Sequence, residues 1–110
     1  MGDRISISFK NKESESVVLF NHWGGREFLE VVKDYLKEIG KYEKHINQTP
    51  FNRREPNTIM IDFIRWLTKD EKRIESGIYL GKNQEEGDNS DNGHYTINLE
   101  TGYYTIENGR

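Results

Sequence analysis

Two periods of apolar spacing alternate along the chain, and each change of period marks an element. Residues 3–9 read Asp-Arg-Ile-Ser-Ile-Ser-Phe, which places Ile5, Ile7 and Phe9 on one face of a strand. A polar turn from Lys10 to Ser14 leads into Ser16-Val17-Val18-Leu19-Phe20-Asn21, a second and more apolar strand. The short separation predicts an antiparallel hairpin. Over 25–39 the period becomes 3.6, with Phe28, Leu29, Val32, Tyr35, Leu36 and Ile39 on one stripe and Gly40 as a C-cap. Residues 41–55 are polar and uneven and predict a loop with room for one helical turn. Pro56-Asn57-Thr58 opens a second helix, about 57–69, whose apolar face is Ile59, Met60, Phe63, Ile64 and Leu67. Its Ile-Met-Ile start leaves a strand as the alternative over a short window. Strand spacing returns at 77–81, 94–99 and 103–107, separated by the polar stretch 82–93 and a tight turn at Glu100-Thr101-Gly102.

The order is therefore β-β-α-α-β-β-β. Strands at both ends with helices between them predict a single α+β domain over 1–110: an antiparallel sheet with two helices packed on one face. Leu, Ile, Val and Phe number 26 of 110 residues, enough for one core but not two.

Charge and composition narrow the function. The chain has 16 basic and 19 acidic residues, net −3, so nucleic acid is a disfavoured partner. No apolar run approaches 18 residues, and the first ten lack the apolar stretch of a signal peptide, so the expectation is a cytoplasmic protein with no membrane partner. The absence of Cys removes disulfides, thiolate catalysis and Cys-based metal sites. Ala is also absent while Ile, Asn and Lys abound, which points to an AT-rich genome.

Two constellations are candidate sites. In the first, Asn21-His22-Trp23-Gly24-Gly25-Arg26 joins a strand end to a helix start, where unpaired N–H groups meet the positive end of the helix dipole. His22 and Arg26 could donate to an anion, Gly24 and Gly25 could let it approach the backbone, and Trp23 could stack on a ring. The same residues also suit a plain chain reversal. In the second, Asp88-Asn89-Ser90-Asp91-Asn92-Gly93-His94 echoes the start of a calcium loop, but Leu99 stands where a bidentate Glu belongs. A solvated loop, with Asp88, Asp91 and His94 as contact residues, is the better reading. The three histidines, His22, His45 and His94, are too scattered to predict a metal site, although His22 and His94 both border strands and could meet at a sheet end.

Leu19-Phe20-Asn21-His22-Trp23-Gly24-Gly25, with the later Asp91-to-Tyr95 stretch, resembles a loosely defined set of small prokaryotic and phage proteins with a strand, His-Trp-Gly-Gly and then a helix. That set has no established activity. The resemblance implies a phage or mobile-element accessory role and adds weight to His22–Gly25. The leading expectation is a non-enzymatic binding protein without catalytic residues, cofactor or metal, whose partner is an anionic small molecule, such as a nucleotide, or a host protein. The alternatives are a small enzyme on a phosphorylated substrate with His22 as acid or base, and a structural subunit that forms a homodimer through its last strand.

Overall fold

A computed structural model describes residues 2–45, 55–73, 77–99 and 105–108. Its strands are β1 (Ile5–Lys10), β2 (Val18–Asn21), β3 (Ile78–Gly81), β4 (His94–Asn98) and β5 (Thr105–Asn108). The helices are α1 (Glu27–His45) and α2 (Pro56–Leu67). The α+β class and the element order hold.

Helix α1 runs past the expected stop at Gly40. One internal Gly costs only about 1 kcal/mol, and the Lys and Glu residues that follow are good helix formers. Helix α2 matches its expected bounds closely, with Pro56 in the first turn and Thr68 as C-cap. The expected turn at 100–102 and the adjacent Tyr103 and Tyr104 lie outside the described residues.

The sheet order is β3-β2-β1-β4-β5, and the sheet is mixed rather than antiparallel. β1–β2, β2–β3 and β4–β5 are antiparallel, but β1 and β4 are parallel, with Ser6 opposite His94 and Ser8 opposite Thr96. The cause is where β3 lands. It pairs outside β2, so it runs in the same direction as β1, and so does β4 on the far side of β1. A link between co-directional strands must return the length of the sheet, which takes a crossover of a dozen or more residues. Residues 82–93 are that crossover.

The two faces of the sheet differ accordingly. Ile5, Ile7, Phe9, Leu19, Tyr95 and Ile97 meet Phe28, Val32, Tyr35 and Leu36 of α1 and Ile59, Met60 and Phe63 of α2 in one apolar core. Phe63 sits at its centre, edge-on to Phe9, Phe28 and Tyr35. The Tyr35 hydroxyl ties the helices together by donating to Asp62 at 2.8 Å. On the second face Ser6, Ser8, His94 and Thr96 are buried although polar. The crossover segment lies over this face.

Candidate functional site

The expected corner forms where β2 meets α1. The Asn21 carboxamide oxygen accepts the Trp23 N–H at 3.0 Å and turns the chain. Gly25 adopts φ +59, a left-handed conformation that glycine tolerates. A methyl group there would also fall against the Asp3 carboxylate. The Gly25 N–H donates to the Asp3 carbonyl at 2.8 Å. An acidic side chain of the protein itself thus lies beside the start of α1, where an external anion was expected.

His22 and Trp23 lie ring against ring, with centroids 4.2 Å apart. Trp23 remains 62 % exposed, the largest side chain among the exposed apolar residues. Its indole lies over Gly77, where a methyl group would come within 2.5 Å of Cδ1. Arg26 is exposed immediately before Glu27, the first residue of α1.

A cleft of about 280 Å³ opens next to this corner, between α1, the end of α2 and the start of β3. Phe28, Val31, Leu67 and Ile78 form its apolar walls, and Glu27 and Glu71 supply two carboxylates. Trp23 is not one of the residues lining the cleft: it precedes Gly24, which is, and its indole packs on Gly77.

The second constellation is anchored through the buried Asn89 and through Arg4, while Asp88, Ser90 and Asp91 remain exposed as expected of a solvated loop. Arg4 Nε holds Asp88 at 3.0 Å and its Nη1 reaches Asp91 at 3.4 Å. The Ser90 hydroxyl and N–H donate to Asp88 Oδ1 at 2.7 and 3.0 Å. These two bonds chiefly, with the charges of Arg4 and His22 adding to them, hold the Asp88 carboxyl below the usual carboxylate range. Asn92 donates to Asp3 Oδ1 at 2.6 Å, so the loop and the corner are joined. Among the described residues no group of three His, Asp or Glu side chains could hold a metal ion.

His94 does not meet His22 but enters a chain of hydrogen bonds that sequence reasoning missed. Ser8 donates to Glu15 Oε2 at 2.6 Å. Its one proton being used, Ser8 Oγ accepts from His94 Nε2, 3.1 Å away. A neutral ring protonated at Nε2 leaves Nδ1 to accept from the Ser6 hydroxyl at 2.7 Å. Ser6 Oγ in turn accepts from Asn89 Nδ2 at 2.8 Å. With the ring neutral, the bonds all point one way, from Asn89 through Ser6, His94 and Ser8 to the Glu15 carboxylate. His94 is 1 % exposed and both serines are at 0 %, while Glu15 at the end of the chain of bonds is half-exposed, and the set serves to pin the crossover to the sheet. The signal was present in the sequence: the outward positions of β1 at 6 and 8 carry small hydroxyls, which fit under a cover, instead of charges.

No protein family, no curated protein and no solved structure matches this chain. Among the described residues no helix is long and apolar enough to cross a membrane.

Proposed function

We propose that the protein is a non-enzymatic binding protein whose partner is another protein, engaged through a basic segment at the cleft beside Trp23. The observation that carries this reading is the pairing of Glu27 and Glu71 with apolar walls in one cleft, with the exposed Trp23 adjoining the lining residue Gly24 in the chain. Trp is enriched among the residues that dominate binding energy at interfaces. A Lys or Arg side chain suits such a cleft, because its stem packs on apolar surface while its head meets carboxylates. An anion suits it poorly: two acids line the cleft, and the Asp3 carboxylate lies at the helix start. The sealing of Ser8 and His94 favours binding over catalysis. As an accessory protein of a phage or mobile element, it would act by occupying a surface of a host protein.

The test is an NMR titration with the peptide acetyl-Lys-Thr-Leu-Thr-Lys-amide, set against inorganic phosphate and ATP. The peptide should shift the amides of Glu27 and Glu71 and the Trp23 indole, and Glu71→Lys should weaken binding at least tenfold. Shifts at His22–Arg26 from phosphate or ATP, with none from the peptide, would reverse the conclusion in favour of an anion.

A further inference from the structure

We infer that the partner segment binds as an added β-strand along the free edge of β3. This deepens the reading of the cleft and rests on it. The phase of the backbone ladder fixes which groups of β3 are open. The His22 N–H donates to the Gly77 carbonyl at 2.8 Å, which makes 22 and 77 a hydrogen-bonded pair. In an antiparallel ladder bonded and non-bonded pairs alternate. With Asn21 opposite Ile78 and Phe20 opposite Tyr79, the bonded residues of β3 are therefore Tyr79 and Gly81. The other side of the sheet gives the same phase: the Ser6 N–H donates to Gly93 O, so Ser6 faces β4 while Ile5 and Ile7 face β2. Ile78 and Leu80 consequently turn their N–H and C=O groups away from the sheet. Among the described residues no strand lies beyond β3.

This edge is short, at four residues, but has no other guard. Edge strands are commonly guarded by Lys, Pro or a bulge. Ile78–Gly81 contains no charge and no Pro. Leu80 is 54 % exposed and Tyr79 is partly exposed beside it. The next outward amide, Lys82 N–H, is already held by the Glu86 carboxylate, so the open stretch is confined to Ile78 and Leu80.

The side chains say which strand would fit. Ile78 and Leu80 project onto the same face as Leu19 and Asn21, the face of the cleft. A strand laid beside them would send alternate side chains, roughly 7 Å apart, to that face. One would cover Leu80. The next would enter the cleft at Ile78, where Glu27 and Glu71 call for a cation. The occupant is thus an extended segment of a partner protein with an apolar residue and a Lys or Arg two positions apart. Main-chain bonds would supply affinity and the alternate side chains specificity. A second copy of this chain fits less well. Two-fold pairing about Leu80 would bring Lys82 to Ile78 of the other copy only by taking its N–H from the Glu86 carboxylate, and pairing about Tyr79 would set Leu80 opposite Ile78, an apolar residue where Glu27 and Glu71 favour a cation.

Amide hydrogen exchange with acetyl-Lys-Thr-Leu-Thr-Lys-amide tests this. Saturating peptide should slow exchange at Ile78 and Leu80 at least tenfold and leave Tyr79 and Gly81 unchanged. N-methylation of the peptide should weaken binding at least tenfold at either the central Leu or the two Thr residues, but not at both. This control changes only the peptide and cannot unfold the protein. If the peptide shifts Glu27 and Glu71 while Ile78 and Leu80 exchange as before, the cleft reading survives and strand addition is overturned. If the peptide perturbs nothing at millimolar concentration, the cleft reading fails and strand addition falls with it. Protection of Ile78 and Leu80 that grows with protein concentration without peptide would assign the edge to a second copy and overturn the partner strand.

Discussion

Ser6→Ala is the sharpest test of the buried chain of hydrogen bonds on the second face. The substitution removes an oxygen that bonds His94 Nδ1 at 2.7 Å and Asn89 Nδ2 at 2.8 Å. Asn89 retains the Gln84 carbonyl at 3.2 Å, so its loss is partial. His94 Nδ1 is left facing a buried methyl group. A net hydrogen bond is worth about 0.5–1.5 kcal/mol, and a stranded buried acceptor costs roughly 1–3 kcal/mol. Together these give a destabilisation of about 2–3 kcal/mol. Against a urea slope of roughly 1–3 kcal/mol per M, the unfolding midpoint should fall by about 0.7–3 M. His94→Leu should also destabilise, because it strands the Ser6 proton. In the double variant both ends of the bond are apolar and neither is stranded, so its cost should fall short of the sum by about 1 kcal/mol or more. Urea unfolding of the four proteins yields this coupling, and ring nitrogen shifts of His94 report its tautomer. Additivity to within about 0.5 kcal/mol, or a neutral ring protonated at Nδ1, would refute the directional chain.

Phe63→Ala removes a fully buried ring from the middle of the core and should cost about 3–5 kcal/mol, read as a loss of urea midpoint or of cooperative unfolding. Gly25→Ala places a side chain at φ +59 and against Asp3, and should cost about 1–2 kcal/mol in thermal or urea unfolding. Asp88 should titrate below its ordinary value of 3.8 when its carboxyl carbon shift is followed, and Ser90→Ala should move the midpoint up. Since the folded group is the stronger acid, its contribution is fully present above about 3.8 and is lost as pH falls through the folded midpoint.

What could be read from the sequence was local. The helical stripes of α1 and α2 and the β1–β2 hairpin follow from spacing within a dozen residues, and each formed near its expected place. The parallel pairing of β1 with β4 depends on β3 taking the outer side of β2, a contact between residues some 60 positions apart that no local pattern encodes. At Gly25 the sequence left a chain reversal and a ligand site both open, and the residue sits in a turn at φ +59. What lies beside it is Asp3, from a strand whose closeness to the helix start is also non-local. The crossover was read as solvated because its residues are polar. That polarity is matched by a polar sheet face: Asn89 meets Ser6, Asp88 and Asp91 meet Arg4, and Asp88 N–H donates to the Tyr79 hydroxyl at 2.9 Å.

The same topology explains why a binding surface would sit at β3. Two helices cover one face of the sheet, and a crossover with no helix of its own covers the other. A segment without an apolar stripe can bury a sheet face only if that face offers hydrogen-bonding partners, which Ser6, Ser8, His94 and Thr96 provide. The helices centre on β1, where Phe9 meets Tyr35 and Phe63, and the crossover runs on the other face from Gly87 over Phe20 and Tyr79 to Asn89 over Ser6. On the helix face the apolar cover runs out at β3 before the apolar side chains do, and Leu80 is left largely in solvent. In a chain with only 26 Leu, Ile, Val and Phe residues, apolar area at an unguarded edge weakens the core, because the same side chains could have been buried. Its position beside two carboxylates and an open pair of backbone groups gives that exposure a use as an interface.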